Sequence, residues 1–358
     1  MAPAAVAVVT RPETPLLDRA QLLKSLGLTA AAIGIPAAGA EVASAGGAGP
    51  GFVEPHPRWR FVLVNHATTN PFFVPTRYGV QDACKHYGTT YEWTGSTRSD
   101  VGEMVSAMRR AIDGRADGIA VSVIDRRAFD KPTAEALRRG IPVVSYNADG
   151  GVGNRRLAYV GQDLYQSGLK FGARIVELVR DGDVFLFIAT PGQLNIQPRI
   201  DGALDAIKDS GKPIRASVVA TGTGVAEERA RIEATYLSHK NLRGMFAVDG
   251  GSTQGVADVM RKHRLRRRGV RAGGYDLLPR TLRSIADGHL DFTIDQQPYL
   301  QGFLPIFQLF MFKYSAGLVA PSDTNTGLLF VTRRNVRPYL TTTTRYEGSS
   351  AAAEYPVR

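Results

Sequence analysis

The chain is 358 residues long, enough for two domains with full cores. Its 44% hydrophobic and 22% charged content describes an ordinary globular protein and excludes a disordered or collagen-like chain. The single Cys84 excludes an internal disulfide or a multi-cysteine metal site, and the scattered histidines form no HxH or HxxxH pair; the formal net charge of +11 leaves nucleic acid, an anionic surface or an acidic partner open.

In chain order the first feature is a leader. "DRAQLLKSLGLTAAAIGIPAAGAEVASAGGAGPG" carries Arg19 and Lys24, an apolar stretch from Leu26 to Ala38, and small residues that offer cleavage after Ala40 or Ala45. This is the layout of an export signal with a spacer, expected over residues 1–45. The apolar part is too short for a good membrane span. Residues 1–50 are charge-neutral, because Arg11, Arg19 and Lys24 are offset by Glu13, Asp18 and Glu41. The positive excess therefore belongs to the folded body.

From Trp59 onward, short apolar runs alternate with amphipathic segments. "RFVLVNH", "TTYEW", "DGIAVSV" and "IPVVSY" predict strands, and "SDVGEMVSAMRRAID" predicts a helix with Val101, Met104, Val105, Met108 and Ile112 on one stripe. A Gly- and Asn-rich joint spans residues 147–163. The pattern then repeats with the strands "DVFLFIA", "IRASVVA", "GMFAV" and "VRAGGYD" and a helix after each. Strands that are apolar throughout are buried on both faces, so the fold class is α/β, two doubly wound parallel-sheet domains. "YLQGFLPIFQLFMFKY" reads as a buried helix rather than a membrane span, since Pro305, Gln308 and Lys313 interrupt it.

Ligands of such sheets bind beyond the carboxyl ends of the strands. The loops there carry Asn70, Phe72 and Phe73 after the first strand, Asp125 after the third, and Asn147 and Asp149 after the fourth. In the second half they carry Asn195 and Arg199, then Asp249, Asp276 and Gln296. Each Asp or Asn alone could be a helix cap, and both rings could fill the core side of the first helix. As a set they suit a polyhydroxylated ligand, with carboxylates and amides for hydroxyls, an Arg fork, and aromatic faces for C–H faces.

These residues, in this order, resemble the type I periplasmic sugar-binding family, the binding proteins of ABC importers. The likeness rests on "NPFF", "ADGIAVSVID", "GIPVVSYNAD", "YVGQD", "PGQLNIQPRIDGALDAI", "GMFAVDGGSTQGV", "AGGYDLLPRTLRSIADGHLDFTIDQQPYLQG" and "SDTNTGLLFVT". It implies a non-catalytic, exported, monomeric protein of the periplasm or cell exterior that captures a sugar or polyol and delivers it to a membrane permease, with no cofactor and no metal. It implies ligand contacts from Asn70, Phe72, Phe73, Asp125 and Asn147 on one lobe and from Arg199, Asp249, Asp276 and Gln296 on the other. It also implies lobes of residues 56–148 with 297–324 and 149–296 with 325–345, three crossings near Asn147, Gln297 and Thr324, and a return of the last helix to the first lobe. Two departures leave the sugar open, alditols and cyclitols included: Asp249 is followed by Gly250, and "TGTGVAEER" offers no aromatic side chain.

A ligand-sensing regulator or a chemoreceptor-linked sugar sensor would share this core. A repressor would need a helix-turn-helix in place of the export-like leader, and a Rossmann-type enzyme would need a GxGxxG after the first strand, which the chain lacks. The basic cluster "RKHRLRRRGVR", residues 261–271, falls at a predicted helix C-terminus, where solvated cations suit the helix dipole better than they signal nucleic acid.

Overall fold

The computed structural model describes residues 55–151, 153–317 and 322–341. The expected leader, 1–45, lies outside the described residues. The first run of elements is β1 (Arg60–Asn65), a 3-10 turn (Pro71–Phe73), α1 (Val74–His86), β2 (Thr90–Gly95), α2 (Val101–Asp113), β3 (Gly118–Val121), α3 (Asp130–Arg138), β4 (Val143–Tyr146) and β5 (Ala158–Gly161). The second comprises α4 (Leu164–Leu178), β6 (Gly182–Ile188), α5 (Gln197–Asp209), β7 (Ile214–Ala220), α6 (Val225–Ser238), β8 (Gly244–Ala247), α7 (Gly250–Lys262), β9 (Arg271–Tyr275), α8 (Pro279–Ala286) and β10 (Phe292–Asp295). The chain closes with α9 (Leu300–Tyr314), β11 (Asp323–Asn325), β12 (Leu329–Thr332) and α10 (Arg337–Thr341).

Two six-stranded sheets result, ordered β11-β5-β4-β3-β1-β2 and β12-β10-β9-β8-β6-β7. Every neighbouring pair is parallel except β10 with β12. The fold is thus two doubly wound α/β lobes, and the compact unit that begins at His56 holds both sheets. Strand order reverses beside β1 in the first sheet and beside β6 in the second, so both switch points open a crevice at the carboxyl ends of these central strands.

Local sequence explains the layers. β1 is buried from Phe61 to Asn65, and each such apolar side chain contributes about 1.5–3 kcal/mol on leaving water. In α2 the expected stripe is the inward face: Met104, Met108 and Ile112 are buried, Val101 and Val105 pack against the same core, and Asp100 caps the helix by accepting from Glu103 N at 2.9 Å. Two pairs of helices meet backbone to backbone. A Cβ at Gly79 of α1 would stand 2.2 Å from the Tyr299 carbonyl, and one at Gly302 of α9 would stand 1.9 Å from that of Thr76, so α9 is seated against α1. Likewise, Gly168 of α4 lies against Arg199 of α5, with 2.5 Å between a hypothetical Cβ and the Arg199 carbonyl oxygen.

The first crossing falls later than expected. β5 pairs with β4, Val144 opposite Ala158, so Ala158–Gly161 belongs with the first sheet and the chain crosses at Gln162–Asp163, not near Asn147. The loop after β4 reads as a joint because parallel neighbours are usually linked through a helix, and the described residues of this connection form none. The other crossings follow β10 at 296–298 and β11 at 326–328. Among the described residues, no helix is long and apolar enough to cross a membrane.

Candidate functional site

The crevice encloses a cavity of about 340 Å³, within the ~300–1,000 Å³ of ordinary small-ligand sites. Asn70, Phe72, Phe73 and Asn147 line it from the first lobe, and Arg199, Asp249, Asp276 and Gln296 from the second. Asn70 sits at its exposed edge, where Oδ1 accepts from Phe72 N at 2.9 Å and starts the 3-10 turn that presents the rings. Phe73 is fully buried and packs edge-on against His66 and Phe72, with ring centroids 5.2 and 4.7 Å away; Phe72 is only half-buried. Asn147 Nδ2 donates to Gln301 Oε1 at 2.9 Å.

Arg199 enters from the first turn of α5, where its close contact with Gly168 fixes the backbone. It is 2% exposed, lies over the Tyr275 ring at 4.2 Å, and donates to Val248 O at 2.8 Å and to Gln296 Oε1 at 2.9 Å. Gln296 Nε2 in turn donates to Asp276 Oδ1 at 2.7 Å. Asp249 caps α7, accepting from Ser252 N at 2.8 Å and, across the sheet end, from Ala189 N at 2.9 Å. Burial pushes the Asp276 carboxyl up to about 6 despite the nearby Arg199, and pushes Asp249 up as well.

Asp125 is placed elsewhere. Its Oδ1 accepts from Arg127 N at 2.9 Å and Ala128 N at 2.7 Å, which makes it the capping residue of the turn after β3, and it is not part of the cavity lining. Asp149 is likewise outside the lining, held by Arg156 Nε at 2.8 Å.

The lobes touch across the mouth. Leu194 N donates to Ile124 O at 3.0 Å, and Asn195 Nδ2 lies 3.3 Å from His66 Nε2. Burial lowers His66 to about 4, so the neutral ring accepts from Asn195 and donates through Nδ1 to Ser122 Oγ at 2.8 Å.

A model of the periplasmic binding protein domain matches residues 61–312. The xylose/arabinose-binding protein XylF of Sulfolobus acidocaldarius is 52% identical over 321 residues, covering 85% of this chain and 79% of its own. The chain belongs to the type I periplasmic sugar-binding family. The D-allose-binding periplasmic protein of Escherichia coli is 21% identical over 282 residues, 74% of this chain and 87% of its own. An ABC transporter solute-binding protein of Burkholderia graminis, solved in complex with D-arabinose, superposes with a TM-score of 0.73 at 24% identity, covering 79% of this chain and 98% of its own. That likeness shows the fold. The family is one of binding proteins.

Beyond the residues legible from sequence, this family member brings His66, Arg98, Gln193 and Glu228 to the cavity. Among the described residues, no cluster of three or more His, Cys, Asp or Glu is placed to hold a metal ion.

Proposed function

We propose that the chain is an exported solute-binding protein that captures one monosaccharide or polyol between its lobes and hands it to the membrane permease of an ABC importer, catalysing nothing and working as a monomer outside the cytoplasm. Pentoses of the xylose and arabinose class are the first candidates, given the 52% identity to a xylose/arabinose-binding protein. The carrying observation is the linked set Arg199, Gln296 and Asp276 at the cavity floor, with Phe72 on the other lobe. A rigid guanidinium, an amide and a carboxylate held in register match adjacent hydroxyls, while an aromatic face suits the ring's C–H side. On this reading, Asn70, Phe73, Asn147 and Asp249 complete the site and Asp125 does not belong to it.

Calorimetry and thermal shift against pentoses, hexoses, alditols and cyclitols test the reading. We expect one-to-one binding of a pentose with a clear rise in melting temperature. Stabilisation by nucleotides or amino acids, and by no sugar or polyol, would overturn it.

A further inference from the structure

The second-lobe wall holds an acidic side chain that neither the resemblance nor the fold requires. Glu228 lies in the first turn of α6, lines the cavity, and is 4% exposed. Its Oε2 is buried without a hydrogen-bond partner. The carboxyl lies over the start of α7, where a Cβ on Gly251 would stand 2.1 Å from Oε2, so only a glycine there leaves room for it. A buried carboxylate with no donor is very costly; a neutral carboxyl without a partner costs less but is still unfavourable. Within the described residues the hydrogen bonding of this carboxyl is therefore incomplete, on a side chain that lines the cavity.

The surrounding charges decide the protonation state. From α7, Asp249 faces Glu228, and Glu227 neighbours it on its own helix; across the cavity stand Asp276 and Arg199 on the second lobe and His66 and Arg98 on the first. Asp249 accepts from two backbone N–H groups, which favour its ionised form, whereas Glu228 has no donor of this kind. A proton taken up by this pair therefore resides on Glu228. In agreement, burial, followed by the Asp249 and Glu227 charges, pushes Glu228 up to about 8.

We propose that Glu228 is a ligand-contacting and specificity-determining residue, presenting a neutral carboxyl group, donor and acceptor at once, to two neighbouring hydroxyls of the bound sugar. Among the described residues, Phe72 and Phe73 are the only Phe, Tyr or Trp side chains in the cavity lining, and the segment containing Glu228 adds Thr223 and Val225. The ligand edge that meets α6 is accordingly hydroxylated. This rests on the sugar-binding reading above and deepens it.

The test is titration of the full chain with D-xylose and L-arabinose between pH 6 and 9.5, comparing wild type, Glu228→Leu, Glu228→Gln and Asp276→Asn, each checked for a cooperative melt. Above the Asp276 titration near pH 6, wild-type affinity should level off and then fall above about pH 8, approaching tenfold per pH unit, once Glu228 ionises. Glu228→Leu should bind at least tenfold more weakly at pH 6. Glu228→Gln, which restores a donor and an acceptor, should recover most of that loss and remove the alkaline fall-off. If Asp276→Asn loses binding while Glu228→Leu binds as wild type, or if Glu228→Gln keeps the wild-type pH profile, the Glu228 assignment is wrong and the sugar site stands. No sugar binding by the wild-type protein would overturn both.

Discussion

Asp125 and Asp276 look alike in sequence, each an aspartate just past a strand, yet the fold uses them differently. Asp125 accepts two backbone N–H bonds of its own turn, whereas Asp276 faces the cavity with one oxygen held by Gln296. Asp125→Ala should therefore lower stability by about 1 kcal/mol, a shift of ~1–2 °C for a chain of this size, and leave sugar affinity unchanged. Asp276→Asn should do the reverse, weakening affinity roughly ten- to a hundredfold with little change in melting. Calorimetry and melting on both variants check the pair. The ambiguity is physical: capping and ligand contact demand the same short acidic side chain at the same strand end, so residue type alone cannot separate them. Glu228 escaped notice for a related reason, since an acid in the first turn of a helix already has an explanation in the helix dipole. His66 was illegible because its partner across the mouth, Asn195, is remote in sequence.

At the level of elements, alternating apolar runs and helical stripes were enough to read the two α/β lobes. What sequence did not convey was the four-residue strand β5, reached through a connection whose described residues form no helix, and with it the position of the first crossing. The basic segment resolves into pairings: Lys262 and His263 meet Glu233 at 2.6 Å, Arg266 and Arg271 meet Asp291 at 2.6 Å, and Arg268 donates to Tyr236 Oη at 2.6 Å. The α4–α5 contact is more consequential for binding. Gly168→Ala would drive a methyl into the Arg199 backbone, and Gly172→Ala would do the same to Ala203, 2.6 Å away and one turn further from the cavity. Both should cost about 1–3 kcal/mol of stability as overpacking, but only Gly168→Ala should also weaken sugar binding severalfold, because it displaces the Arg199 fork. Parallel melting and titration of the two variants separate the effects.

For the whole molecule, the contact between lobes through His66 is sensitive to acid. Its folded value of about 4 lies below the ordinary 6.5, so the unfolded chain binds the proton more readily. Stability is then full above pH 6.5 and falls as pH drops towards 4, by at most about 3 kcal/mol. Asp276, raised to about 6, works in the opposite sense over part of that window. The measurement is therefore the difference in melting temperature between wild type and His66→Gln from pH 7.5 to 4.5, which should shrink as the wild type loses its neutral imidazole; a constant difference would mean that His66 stays neutral or unconstrained.

Gln296 immediately follows β10, at the second crossing, and its neighbours join that crossing to the others. Its carbonyl accepts from Gln301 Nε2 at 3.0 Å and from Thr326 Oγ1 at 2.8 Å, while its side chain holds both Arg199 and Asp276. The pivot on which the lobes would swing and the groups that would grip a ligand are thus the same few atoms. In such an arrangement the open and closed populations cannot be tuned independently of recognition. The measured dissociation constant is the intrinsic one divided by the fraction of molecules already closed, so a substitution at Gln301, which does not line the cavity but holds Asn147 and Gln296, would change the apparent affinity through that fraction and through the ligand contacts together.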